Sequence, residues 1–248
     1  MFISLSILEY EQNLSEHIDV LPKSPIFLQI LRLIGTRKIR FVHIDVMRPP
    51  LIPNRVTFPI KLIEKLYEAL HERIPLSIHL MVSDPISIVD EIGRFIPRED
   101  RAINQIIIQR ESFKSENETL KAINLLRKNG YNRVGICLDL PTPCRSISEK
   151  TVEAADFILL MTVHMGRGRQ KYADEGTKKI LHFSRLYPHK PIWVDGGINP
   201  HTVQIAEKAG AKAAVVGSFI TLNKNPTEAL LELTRSIGEQ KQNEILDK

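Results

Sequence analysis

The sequence predicts a single-domain (β/α)₈, or TIM, barrel, and three observations carry that prediction. Eight short runs rich in Ile, Leu and Val alternate with helix-length amphipathic stretches along 248 residues, a length that one α/β barrel fills. No Gly-x-Gly-x-x-Gly follows the first run, which weakens the alternative of an open, doubly wound, dinucleotide-binding sheet. The polar residues that stand out sit at the C-terminal ends of several different runs. A barrel gathers those ends into one ring, whereas an open sheet spreads them over its width.

The predicted strands are Phe2–Leu8, Arg40–Val46, Leu76–Val82, Asn104–Gln109, Arg133–Leu138, Phe157–Val163, Pro191–Asp195 and Ala213–Gly217. Their starts lie 38, 36, 28, 29, 24, 34 and 22 residues apart, room for the helical crossover that parallel neighbours require. Between the first two strands, Leu21–Lys38 contains Pro22 and Pro25 and exceeds a simple connection, so it is expected to add a helix or a rim insertion. Phe58–Leu70 carries apolar residues at 59/60, 62/63, 66/67 and 69/70, a period of about 3.6. Ser115–Lys128, Asp174–Leu186, Pro200–Ala209 and Pro226–Ile237 repeat that pattern. Asn129-Gly130, Gly210 and Gly238 stand behind three of these helices as left-handed stops. No linker or composition break divides the chain, so residues 1–248 read as one domain.

Composition narrows the function classes. A hydrophobic fraction of 43% excludes a disordered chain, and with only 6% aromatics the core must come from aliphatic side chains. Cys137 and Cys144 are too few for a disulfide scaffold and point to a reducing compartment. No apolar run reaches the roughly 18 residues of a membrane span, and the first residues lack both a basic leader and a long apolar segment. The expected location is cytoplasmic, with no membrane partner. Lys and Arg outnumber Asp and Glu by 34 to 29, but the positive residues are interleaved with Glu, as in Lys61-Leu62-Ile63-Glu64-Lys65. Solvated helix faces account for that pattern, and no nucleic-acid partner is expected.

The strand ends carry the chemistry. In His43-Ile44-Asp45-Val46-Met47, alternation points His43, Asp45 and Met47 the same way. The third strand contributes His79-Leu80-Met81 and the seventh ends at Asp195-Gly196-Gly197. Two His and two Asp form a sensible ligand set for one divalent metal, Zn²⁺, Fe²⁺ or Mn²⁺. A single strand-end His reads equally as a hydrogen-bonded structural residue; the convergence of four candidates favours ligation. Gly196 and Gly197 precede a helix start at Asn199-Pro200, and Gly217-Ser218 repeats the arrangement one strand later. Loops after the seventh and eighth barrel strands recurrently bind phosphate through backbone N–H groups. Asp-Gly-Gly alone could be a plain turn, and it is the pair of loops that favours an anion site. After the sixth strand, Gly166 and Gly168 flank Arg167 in a loop that either closes over a ligand or stays open to solvent.

In order and position, these residues resemble the ribulose-phosphate 3-epimerase family of TIM-barrel enzymes. The similarity runs from Ile3-Ser4-Leu5-Ser6-Ile7-Leu8 to Gly217-Ser218-Phe219, through Pro53-Asn54, His79-Leu80-Met81-Val82, Met161-Thr162-Val163 and Val194-Asp195-Gly196-Gly197-Ile198. The resemblance implies that His43, Asp45, His79 and Asp195 bind one catalytic divalent metal and that Asp45 and Asp195 are also the acid/base pair. It implies substrate contacts at Ser6 and His79, a phosphate cradle of Gly196, Gly197, Gly217 and Ser218, and a reaction centre lined by Met47, Met81 and Met161. The implied reaction inverts C3 of a ketose phosphate, interconverting D-ribulose 5-phosphate and D-xylulose 5-phosphate in the pentose phosphate pathway. The partner is then a small phosphosugar, and a homo-oligomer is left open.

The departures from the family pattern cluster near the site. Arg48-Pro49 stands where Asp-Gly is usual, and Gln109-Arg110-Glu111 where a His is closely followed by Glu. Asp139-Leu140-Pro141-Thr142-Pro143 replaces Asn-Pro-x-Thr-Pro, and His164-Met165-Gly166-Arg167-Gly168-Arg169-Gln170 replaces Asn-Pro-Gly-Phe-Gly-Gly-Gln. Arg48, Arg167 and Arg169, with Arg110 nearby, would suit a more anionic ketose phosphate if they faced the pocket, and would mean nothing for specificity if they faced water. Three readings remain: the epimerase, an epimerase for a more anionic ketose phosphate, and a phosphosugar-binding barrel that has lost catalysis.

Overall fold

The structure, a computed structural model, describes residues 1–246, with side chains described to residue 237. Eight parallel strands pair in sequence order and close on themselves: β1 (Phe2–Ser6), β2 (Ile39–Met47), β3 (Leu76–Met81), β4 (Gln105–Gln109), β5 (Val134–Leu138), β6 (Phe157–Met161), β7 (Ile192–Asp195) and β8 (Ala213–Val216). β1 pairs with both β2 and β8, which completes the TIM barrel and leaves no open edge. Every predicted strand is present, and each boundary lies within two residues of its prediction.

The crossovers run through α1 (Glu11–Glu16), α2 (Pro25–Gly35), α3 (Ile60–Leu70), α4 (Pro85–Ile92), α5 (Arg98–Arg101), α6 (Glu116–Lys128), α7 (Glu149–Ala154), α8 (Asp174–Leu186), α9 (Pro200–Ala209), α10 (Ser218–Thr221) and α11 (Pro226–Leu246). Of the two expectations for Leu21–Lys38, the helix is the one realised. Ser24 caps α2 by accepting from Phe27 N, Pro25 opens it, and Phe27, Ile30 and Leu33 bury one face. At α9 the Asn199 side chain accepts from the Thr202 backbone while Thr202 Oγ1 reaches back to Asn199 N, and Gly210, with φ +114°, ends the helix as expected. Gly238 does not end α11, which continues to Leu246. A mid-helix glycine costs only about 1 kcal/mol relative to alanine, and the Glu239-Gln240-Lys241-Gln242 that follow are good helix formers.

Two cores result. The larger fills the space between strands and helices with aliphatic side chains such as Leu5, Val42, Ile78, Leu126 and Val203. The second lies inside the barrel. At its N-terminal end, Trp193 stacks on Phe157 at 4.5 Å and meets Phe2 edge-on at 5.0 Å, with Phe41 at 5.6 Å. Arg40 and Arg133 lie over Phe2 and Phe41. This aromatic floor leaves the C-terminal end of the barrel for polar groups.

Candidate active site and metal centre

Strand register brings the chemistry together. Parallel pairing sets Ser6 beside His43, Asp45 beside His79, Met47 beside Met81, and Met161 beside Asp195. Alternation turns these side chains inward, as the pattern predicts. The candidate ligand atoms of His43, Asp45, His79 and Asp195 all lie within 4.8 Å of one another. His43 Nε2 stands 3.1 Å from Asp45 Oδ1 and 3.9 Å from Asp195 Oδ2. His79 Nδ1 lies 3.3 Å from Asp45 Oδ1, and Ser6 Oγ donates to Asp45 Oδ2 at 2.9 Å. His43 Nδ1 meets Ser77 Oγ at 3.2 Å. Ser77 was not among the sequence candidates, although it lies two residues before His79 and therefore on the same face of the strand.

The two carboxyls are driven apart electrostatically. Burial disfavours charge on Asp45, but the imidazoles of His43 and His79 outweigh it and hold the carboxyl well below the usual carboxylate range. Burial and the neighbouring Asp45 push Asp195 up to about 7, with His43 opposing. Burial lowers His79, while around His43 the two acids overcome desolvation and raise it.

The residues fit a divalent cation. Two imidazole nitrogens and two carboxylate oxygens form a donor set that Zn²⁺, Fe²⁺ and Mn²⁺ accept. His79 Nδ1 is buried, has no hydrogen-bond partner, and is one of the converging atoms. Such an atom is normally paired, and a cation is the partner its lone pair suits.

Above the cluster opens a cleft. Ser6, Asp45, Met47, Met81, Met161 and Asp195 form one part of its wall. Gly196, Gly197, Gly217 and Ser218 form another, and Gly166 to Gln170 a third. His43 and His79 lie fully buried behind this wall rather than on it. The expected site residues therefore share one cleft, apart from these two imidazoles. Gly197 adopts φ +64°, and a Cβ there would fall 2.3 Å from Tyr172 N, so the Gly loop and the end of the 164–172 segment pack without room for a side chain.

That segment is tied to the barrel at two points and braced internally at a third. Arg169 Nη2 pairs with Glu9 Oε2 at 2.7 Å, Gln170 Nε2 donates to the carbonyls of His164 and Arg167, and Met165 N donates to Asp139 Oδ1 at 2.8 Å. The buried amine of Lys179 donates to Asp139 O at 2.6 Å and fixes the loop that receives Met165. Glu9 lines the cleft and was not singled out from the sequence; its place just past a barrel strand's C-terminal end is the signal that could have found it.

The arginines divide. Arg48 Nη1 donates to the carbonyls of Met47 and Thr57, and its Nη2 to Phe58 O. Arg110 donates to Ser146 O and Phe113 O, both at 2.8 Å. Both guanidiniums thus bridge loop carbonyls and neither lines the cleft, so of the two alternatives for them the pocket-facing one fails. Arg167 and Arg169 do line the cleft.

Fold and site together define a TIM barrel with a buried His₂Asp₂ cluster at the C-terminal ends of its strands. The profile of the ribulose-phosphate 3-epimerase family matches residues 29–221. The chain is 30% identical over 200 residues to the cytoplasmic isoform of ribulose-phosphate 3-epimerase from Oryza sativa subsp. japonica, covering 79% of this chain and 82% of that one. It is 30% identical over 203 residues to ribulose-phosphate 3-epimerase from Bacillus subtilis, covering 79% and 86%. Among solved structures, orotidine 5'-monophosphate decarboxylase from Sulfolobus solfataricus superposes with a TM-score of 0.61 at 14% identity, covering 96% and 97%, a likeness of fold. The chain belongs to the ribulose-phosphate 3-epimerase family.

Proposed function

We propose that the protein is a metal-dependent epimerase that inverts C3 of a ketose phosphate, D-ribulose 5-phosphate or a close analogue, through an enediolate. The observation that carries this reading is the convergence of His43, Asp45, His79 and Asp195 just beneath a single cleft walled by two glycine-bearing loops.

Backbone N–H groups around Gly196, Gly197 and Gly217, with Ser218, hold the phosphate and fix the sugar's register. Asp45, kept charged by its imidazole neighbours, takes the proton from C3 on one face, and the C–H electron pair passes toward the C2 carbonyl. A divalent ion held by His43, Asp45, His79 and Asp195 would supply positive charge against the oxyanion that develops. Asp195, on a strand across the barrel mouth, returns a proton to the other face of C3. In the reverse direction the two acids exchange roles. Ser6 orients Asp45, and the Met47, Met81 and Met161 side chains exclude water around the reacting carbons.

Incubation with a panel of ketose phosphates in D₂O tests the assignment. Interconversion of the C3 epimers with deuterium entering at C3 is expected. Divalent-metal binding without exchange on any member of the panel would overturn it in favour of a binding barrel.

A second reading concerns specificity. Among the described residues no acidic side chain pairs with Arg167, whereas Arg169 is neutralised by Glu9. An unpaired guanidinium on the cleft wall favours a ketose phosphate bearing a second anionic group, so the panel includes such an acid.

A further inference from the structure

His79 has two ring nitrogens and two different neighbours. Its Nδ1 faces the carboxylates and carries no hydrogen bond, while its Nε2 lies 3.2 Å from the carboxamide of Gln109, the last residue of β4. Both side chains are fully buried, so no solvent group competes for either nitrogen. A neutral imidazole has one N–H and one lone pair, and whichever nitrogen holds the proton leaves the other bare. Asp45 Oδ1, 3.3 Å from Nδ1, draws the proton there while the site holds no cation, and the Gln109 carboxamide decides how readily it is held on Nε2 once a cation takes the Nδ1 lone pair. With its NH₂ toward His79 Nε2, the ring proton is forced onto Nδ1, and Gln109 Oε1 is left buried without a partner. The two ends of a carboxamide have the same shape, so a half-turn exchanges them without moving a carbon. Oε1 then accepts Nε2–H, and the Nδ1 lone pair is free for a cation shared with Asp45.

We propose that Gln109 is a positioning residue whose carboxamide oxygen accepts Nε2–H of His79, holding the tautomer that turns the Nδ1 lone pair into the metal centre. The proposal rests on the reading of the His₂Asp₂ cluster as a divalent-ion site. It extends that reading to a side chain that touches neither substrate nor ion. Its location follows from register: His79 on β3 and Gln109 on the neighbouring β4 both point inward near the strand ends.

The test uses two variants and two readouts. Gln109→Glu keeps an acceptor but cannot donate, and Gln109→Leu can do neither. In Zn²⁺-loaded protein, long-range ¹⁵N–¹H correlations locate the His79 Nε2 proton; wild type and Gln109→Glu should show it shifted downfield and slow to exchange, and Gln109→Leu should lose both features. Zn²⁺ affinity should fall about 10–100-fold in Gln109→Leu and be largely kept in Gln109→Glu. A wild-type Nε2 proton with no downfield shift in the Zn²⁺-loaded protein, or a Gln109→Glu variant that behaves like Gln109→Leu, would overturn the proposal. Should Gln109→Leu fail to fold, the comparison of wild type with Gln109→Glu decides alone. The tautomer is read without substrate, so its failure is distinct from a failure of the deuterium-exchange assay.

Discussion

Arg169 of the segment after β6 and Glu9 of the loop after β1 form an ion pair across the mouth of the cleft, with Arg169 Nε and Nη2 at 2.8 and 2.7 Å from Glu9 Oε2. The pair joins two loops far apart in sequence and adjacent only because the barrel closes. The Arg169 side chain is largely exposed, so the pair adds little to global stability. Its effect lies in keeping the segment over the site. Arg169→Ala and Glu9→Gln should each raise KM several-fold with nearly unchanged Tm, and the double variant should match the singles. Additive losses in steady-state assays would show that the two residues act separately.

Asp45→Asn and Asp195→Asn should each lower kcat by about 10²–10⁴-fold, the usual scale of a lost acid or base, while circular dichroism shows an intact barrel. Deuterium uptake at C3 read by NMR checks the assignment, since near-wild-type uptake in either variant contradicts a two-acid mechanism.

Protons should compete with the metal. In the metal-free protein Asp195 is pushed up to about 7 by burial and by Asp45, and it must lose its proton to act as a ligand. Apparent Zn²⁺ affinity is therefore expected to fall as pH drops below about 7 and to level off above it. Calorimetric titrations in buffers of different ionisation enthalpy should count at least one proton released at pH 6; an affinity flat from pH 5.5 to 8 would contradict the assignment.

Arg48 and Arg167 separate structure from specificity. Arg48→Ala leaves three loop carbonyls without a charged donor, so a loss of about 1–3 kcal/mol in denaturant unfolding is expected, with KM preserved where the enzyme is folded. Arg167→Ala should do the reverse, raising KM without moving the unfolding midpoint.

Gly197→Ala forces a Cβ toward Tyr172 N at a left-handed backbone position, at a cost of about 1–3 kcal/mol. If this loop cradles phosphate, inhibition by inorganic phosphate should weaken by about tenfold or more. Unchanged inhibition would place the anion elsewhere.

Most of the barrel was legible in the sequence because parallel strands buried on both faces read as aliphatic runs, and the helices between them keep a clear 3.6 period. The short helices α1, α4, α5, α7 and α10 were not read: with eight residues or fewer they show too little period to detect. Gly238 misled for the opposite reason, since a strong local stop signal was overridden by the helix formers behind it. At the site, alternation alone was enough to group His43, Asp45 and Met47, and strand-end position found Asp195 and the glycines. The arginines escaped because their side chains are long. Position in sequence does not say whether a guanidinium turns toward a pocket or back onto a carbonyl, and Arg48 and Arg110 turn back.

The stacked rings of Trp193, Phe157, Phe2 and Phe41 make the barrel a cul-de-sac. Whatever enters from the top must leave by the same door, with its hydrogens traded for those of the solvent only while that door stands ajar. On the proposed epimerase reading, such a dead end sets the exchange of label with water against turnover through the traffic of one loop, so the ratio of deuterium washed in to product formed becomes a clock for how often the Arg169–Glu9 clasp lets go.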